Sequence, residues 1–195
     1  MKLAGIVLAG GQSRRFGSDK ALEPYEDSTF LDLALKNLKA VTETAAVIGR
    51  TDHAKEHVQF FSDSAQYKGM GPLAGLYTAM KEVQADWYLV LACDMPLIDK
   101  EILTVLISGI NEKQPAVIPV VYGKCHPLCA LYHFSILSEI ERLLDQKQLK
   151  MMTLLNQLNP VYLDEANFSN PERFANINRR EDLGILVDGH KQSFS

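Results

Sequence analysis

Leu3–Leu22 reads LAGIVLAGGQSRRFGSDKAL, and the two halves of this stretch differ in character. Residues 3–9 are continuously apolar, the pattern of a parallel strand covered on both faces. Residues 10–19 then carry three glycines and two arginines. Glycine lets backbone N–H groups approach a ligand closely. Arg14, Arg15 and Lys20 add up to three cations beside that turn. Oriented amides together with cations suit a polyphosphate. A bland surface loop is the competing reading of the same residues.

Two familiar phosphate loops do not fit. A Walker A loop needs G-x4-G-K-[ST], whereas Gly17 is followed by Ser18, Asp19 and Lys20. The dinucleotide fingerprint needs G-x-G-x-x-G after the strand, and this chain has Gly10, Gly11 and Gly17.

On the C-terminal side of the loop, apolar residues recur at Phe30, Leu31, Ala34, Leu35 and Leu38, the spacing of an amphipathic helix. Short strands are predicted over 45–48 and 58–61. A polar loop over 62–70 leads into Gly71-Pro72. Pro72 suits the first position of a helix, where its missing N–H leaves nothing unsatisfied. Leu73, Leu76, Tyr77, Met80 and Val83 supply that helix's buried stripe. Residues 87–93 (WYLVLAC) are the most strongly buried-strand-like segment, halting at Asp94 with Pro96 just beyond. A helix over 99–110, strands over 115–121 and 127–133, and a helix over 134–146 complete the pattern. Such alternation predicts an α/β sheet with helices on both faces. No repeat, low-complexity segment or Pro/Gly/Ser-rich linker divides the chain, so residues 1–195 read as a single domain ending in a frayed GHKQSFS tail.

Composition narrows the classes of function. The 195 residues are 47% hydrophobic and 23% charged, which excludes a wholly disordered chain. A domain of this length buries roughly 70% of its unfolded surface. The net charge of −4 disfavours a nucleic-acid-coating protein. No apolar run approaches the ~18–20 residues that span a bilayer. Residues 1–9 resemble a short signal peptide, but Gly10-Gly11 interrupts the run and charged residues follow, so a buried first strand is the expectation. Three cysteines fall far below disulfide-scaffold density, which suggests a reducing, cytoplasmic setting. Cys125-x3-Cys129 with His126 and His133 invites a zinc reading. On a strand, however, those sulfurs would stand about 13 Å apart at ~3.3 Å per residue, too far for one zinc with bonds of about 2.3 Å.

Asp94 follows a buried strand, and open α/β sheets place their ligands at the carboxyl ends of strands. Magnesium takes oxygen ligands, often one or two carboxylates plus substrate phosphates. Asp94 is therefore the candidate metal ligand; capping a helix that starts near Leu97 is the alternative. A helix beginning at Pro72 would turn free N–H groups outward, toward an anion or a base carbonyl. Tight helix–sheet packing is the other use of Gly71-Pro72-Leu73-Ala74-Gly75. Cys93 reads as a small core residue.

Leu8–Leu22, in the form LAGG-x-S-x-R-[MF]-G-x-D-K-A-L, resembles the opening signature of the molybdenum cofactor guanylyltransferases. Four further blocks follow in order: Gly71–Gly75; Cys93-Asp94-Met95-Pro96; His126-Pro127-Leu128 with Ala130-Leu131-Tyr132; and Phe174-Ala175-Asn176-Ile177-Asn178. Sugar-phosphate and isoprenoid nucleotidyltransferases open similarly, but five ordered blocks in a chain of this length are specific. The resemblance implies a three-layer Rossmann-like nucleotidyltransferase fold with a mostly parallel central sheet. It implies transfer of GMP from GTP to the phosphate of molybdenum-molybdopterin, with Mg²⁺ on Asp94. Leu8, Ala9, Gly10, Gly11, Lys20, Asp63, Gly71, Gly75 and Asp94 would bind nucleotide, with Arg15, Lys20 and Asp94 catalytic. His126, Asn176 and Asn178 would lie on the acceptor side. Its partners would be GTP, the pterin substrate and other proteins of that pathway, with no nucleic acid and no membrane. Two rivals remain: a cytidylyl- or sugar-phosphate nucleotidyltransferase, and a non-catalytic nucleotide-binding protein of the same fold. Arg179-Arg180 stands where the family often has Thr-Pro, Phe16 replaces the usual Met, and Glu23 takes a commonly apolar position.

Overall fold

The computed structural model describes residues 1–10, 19–25, 27–50 and 53–175. Strand β1 (Leu3–Leu8) lies in the middle of the sheet, between β4 (Thr44–Ile48) and β6 (Trp87–Ala92). Both neighbours run parallel to it, as does β5 (Gln59–Phe61) beside β4. A two-rung ribbon, β2 (Pro24–Tyr25) with β3 (Ser28–Thr29), precedes helix α1 (Phe30–Lys39).

Beyond β6 the direction reverses. Strand β9 (Cys129–His133) runs antiparallel between β6 and β7 (Ala116–Val121), and β10 (Val161–Asp164) pairs parallel to β7 at the edge. A short β8 (Lys124–Cys125) folds back on β7 through Tyr122-Gly123, both at positive φ, as a two-residue hairpin turn requires. Pro119 interrupts β7, which pairs with β9 at Ala116 and Val117 and with β8 at Val120 and Val121. A proline cannot donate to a ladder, so it sits where one partner gives way to the next.

The period of two assigns side chains to faces. Ala4, Ile6, Tyr88 and Val90 point into one core with helices α2 (Pro72–Glu82), α4 (Leu137–Asp145) and α5 (Met151–Gln157). Val7, Trp87, Leu89 and Leu91 point into the other, with α1, α3 (Lys100–Ser108) and the aromatic pair Phe168 and Phe174. Helices therefore cover both faces of a mostly parallel sheet: the expected three layers. Among the described residues no helix is long and apolar enough to cross a membrane.

The predicted elements recur with shifted ends. Strand 127–133 begins only at Cys129, and helix 134–146 opens as a 3-10 turn over Phe134–Ile136 before α4. The β2–β3 ribbon, β8, α5 and β10 are additions that the sequence reading did not contain.

Candidate active site

The parallel strands all end on one rim, and the candidate residues gather there. Leu8 pairs with Ala92, so Gly10 and Asp94 each follow two positions past the last rung of β1 and β6. Ala9 continues the ladder by donating its N–H to the Ile48 carbonyl at 2.8 Å. Ala92 donates to Leu128 at 2.8 Å, which brings the His126–Leu128 block beside the same rim. Gly11, Arg15, Asn176 and Asn178 lie outside the described residues.

Lys20 and Asp94 meet across this rim. Lys20 opens a 3-10 turn, Lys20–Leu22, and its Nζ stands 3.7 Å from Asp94 Oδ2. The lysine side chain is 11% exposed and the carboxylate 29%, so the pair is sheltered yet open on the carboxylate side. Helix α3 is capped by Asp99, whose Oδ1 accepts from the Ile102 N–H at 3.1 Å. The capping role that was the alternative for Asp94 is thus filled by Asp99, five residues later. Among the described residues no cluster of three His, Cys, Asp or Glu side chains forms a protein-only metal cage. A single rim carboxylate beside a cation suits an ion that arrives with phosphates rather than one held by protein alone. Burial pushes the Cys93 thiol up to about 12; it stays protonated at neutral pH, as a core residue does and a nucleophile does not.

Asp63 follows β5 and reaches toward the start of α2. Its Oδ2 accepts from the Gly69 N–H at 3.4 Å, and its Oδ1 lies 4.0 Å from where a Gly75 Cβ would stand. Burial raises the Asp63 carboxyl above its ordinary range, opposed by the Gly69 N–H and Lys68. Gly71 caps α2 with φ 78°, a conformation that favours glycine, and is exposed. Gly75 serves packing: an added Cβ would meet Leu8 Cδ2 at 3.0 Å. The helix start is held from below by Tyr67, whose hydroxyl donates to Asp145 Oδ1 at 2.7 Å, while Tyr77 donates to Glu141 at 3.0 Å.

His126 is buried, and its ring packs on Phe174 at 5.0 Å between centroids. Burial lowers its pKa to about 4, so the ring is neutral at pH 7. It anchors the segment that leads into residues 176–178, assisted by an ion pair between Arg173 and Asp99.

Sequence reasoning overlooked His53. The residue stands in a polar stretch, RTDHAKEH, with no apolar period and no motif around it. It is nonetheless fully buried and bonded to Asp19.

Residues 5–161 match the description "MobA-like NTP transferase domain". The chain belongs to this family. A probable molybdenum cofactor guanylyltransferase of Bacillus mycoides is 37% identical over 188 residues, covering 93% of this chain and 94% of that protein. One from a Geobacillus species is 36% identical over 192 residues, covering 95% and 98%. Among solved structures, the molybdopterin-guanine dinucleotide biosynthesis protein A of Archaeoglobus fulgidus superposes with a TM-score of 0.81 at 27% identity, covering 98% of this chain and all of that one. A MobA-like chain is a nucleotidyltransferase.

Proposed function

We propose that this protein transfers GMP from GTP to the phosphate of molybdenum-molybdopterin, giving the guanine dinucleotide cofactor and pyrophosphate. The observation that carries the reading is the Lys20–Asp94 pair on a rim shared with Asp63 and the start of α2. It is supported by the full-length likeness to relatives named for guanylyl transfer.

In the proposed reaction an oxygen of the acceptor phosphate attacks the α-phosphorus in line. The bond from that phosphorus to the bridging oxygen breaks, and pyrophosphate leaves with the electron pair. The acceptor phosphate is already ionised, so no strong protein base is required. Lys20, Arg15 and the amides of Gly10 and Gly11 balance charge on the triphosphate, and positioning with electrostatics is the main task in such transfers. Asp94 is the residue that would hold Mg²⁺, which when bound neutralises phosphate charge and polarises the α-phosphate.

Base choice rests on Asp63. Guanine presents a ring N–H and an amino group on one edge, two donors for a carboxylate, with a carbonyl beside them for N–H groups around Gly71. Adenine would set an amino donor against those N–H groups. Sites built on hydrogen bonds reject such mismatches, and two lost bonds at ~1.5 kcal/mol each give about two orders of magnitude for GTP over ATP. The deciding experiment incubates the protein with Mg²⁺, labelled GTP or CTP, and molybdenum cofactor, then identifies the dinucleotide. A guanine dinucleotide is expected. A cytosine product, or none with active cofactor, would overturn the reading.

A further inference from the structure

Asp19 precedes Lys20 and uses each carboxylate oxygen separately. Oδ1 accepts from the Ala21 N–H at 3.1 Å and caps the turn that carries Lys20. Oδ2 lies 2.7 Å from His53 Nε2 and 3.3 Å from an Arg50 guanidinium nitrogen. The other imidazole nitrogen, Nδ1, accepts from the Arg50 backbone N–H at 3.1 Å. That bond leaves the ring proton of a neutral imidazole on Nε2, where it donates to Asp19. The imidazole has no exposed surface, and it occupies space that only a glycine at position 49 leaves: an added Cβ there would stand 2.5 Å from Nδ1. A buried ring with both nitrogens bonded and a glycine cleared for it holds a single orientation.

We infer that His53 is a positioning residue for the transfer reaction: by fixing Asp19, it sets the turn that directs Lys20 toward Asp94 and the triphosphate. The His53–Asp19 bond ties the far end of the glycine loop to the segment just after β4, so the Lys20 backbone is referenced to the sheet instead of to the loop. This deepens the proposed function and rests on its assignment of Lys20 to the phosphates. The gain is geometric, since displacing a catalytic group by about 1 Å can cost on the order of 100-fold in rate.

Two replacements of His53 separate position from mere bulk. His53→Gln can keep a donor near Nε2, whereas His53→Asn keeps an acceptor near Nδ1 and loses the bond to Asp19. His53→Asn is expected to lower kcat/KM for GTP by about tenfold or more, with His53→Gln restoring it to within about threefold of wild type. A double-mutant cycle supplies the readout that a purely structural role would not move. Added to Lys20→Ala, His53→Asn is expected to cost less than about twofold, because the group it positions is gone. Should His53→Asn not fold, as judged by circular dichroism, Asp19→Asn takes its place in the same cycle; its amide cannot accept from both Ala21 and His53. The inference fails if the folded variant retains wild-type kcat/KM, or if its full loss recurs on the Lys20→Ala background. A silent Lys20→Ala would instead overturn the phosphate role of Lys20, and this inference with it.

Discussion

In the proposed reaction Asp94 and Lys20 would have opposite duties that their 3.7 Å approach reconciles: one would attract a cation, the other the phosphates which that cation accompanies. Asp94→Asn keeps the shape and removes the charge, so GMP transfer should fall severely while the circular dichroism spectrum stays that of wild type; transfer at the wild-type rate would remove Asp94 from the metal site. Lys20→Ala deletes a charge-assisted hydrogen bond of about 1.5–3 kcal/mol, an expected loss of roughly 10- to 150-fold in kcat/KM for GTP. The role proposed for Asp63 sets function against stability. Its carboxyl titrates above the ordinary range because burial penalises the charged form. A raised carboxylate pKa makes the folded state less stable once the pH exceeds the unfolded value, and relief comes on acidification. Asp63→Asn should therefore leave Tm at pH 7 equal to or above wild type while GTP preference over ATP drops at least about tenfold. A clear fall in Tm, or full selectivity in a GTP/ATP competition assay, would contradict the assignment.

At the level of elements, the proposed base site requires α2 to hold still beneath its exposed start. The edge-on pair Tyr67 and Tyr77, 4.9 Å between centroids, stitches the loop before α2 and the helix itself to α4 through two carboxylates. The bond to Asp145 pushes the Tyr67 hydroxyl up to about 12. A tyrosine pKa raised on folding adds stability that is complete below pH 10 and lost as the pH climbs toward 12. Tyr67→Phe should thus lower Tm at pH 8, with the deficit closing above pH 10; a deficit unchanged at pH 11.5 would place its origin elsewhere. The same scale shows what could be read from sequence. The buried strands β1 and β6 and the stripe of α1 were legible because continuous apolar runs and a helical period are long local signals. The two-residue strands, the seven-residue α5 and the four-residue β10 were not, because elements so short owe their form to partners far along the chain. The places of Asp94 past the end of β6 and of Gly71–Gly75 at the start of α2 were legible from the apolar run and from Gly71-Pro72, whereas His53 owes its burial wholly to the fold.

Over the whole molecule, His126, Phe168 and Phe174 close the second layer and bring the late part of the chain back to the rim. His126 binds its proton far less readily when folded, with its pKa lowered to about 4. The unfolded chain takes up more protons between pH 6.5 and 4, so stability is lost across that window as the pH falls. Phe174→Ala should cost about 3–5 kcal/mol, as large-to-small core changes do, and should let the His126 pKa rise toward 6.5 in an NMR titration; an unmoved pKa would show that Phe174 does not shield the ring. The central place of β1 also governs the order in which the chain can be finished. Leu3 pairs with Trp87, so a ribosome adding about 5–20 residues per second leaves one flank of the first strand open for roughly 4 to 17 seconds. During that interval the nascent chain offers an apolar edge able to pair with a neighbour. Yield in cells should therefore depend on translation speed and chaperone supply until residue 92 emerges, and again until residues 129–133 arrive to cover the far flank of β6.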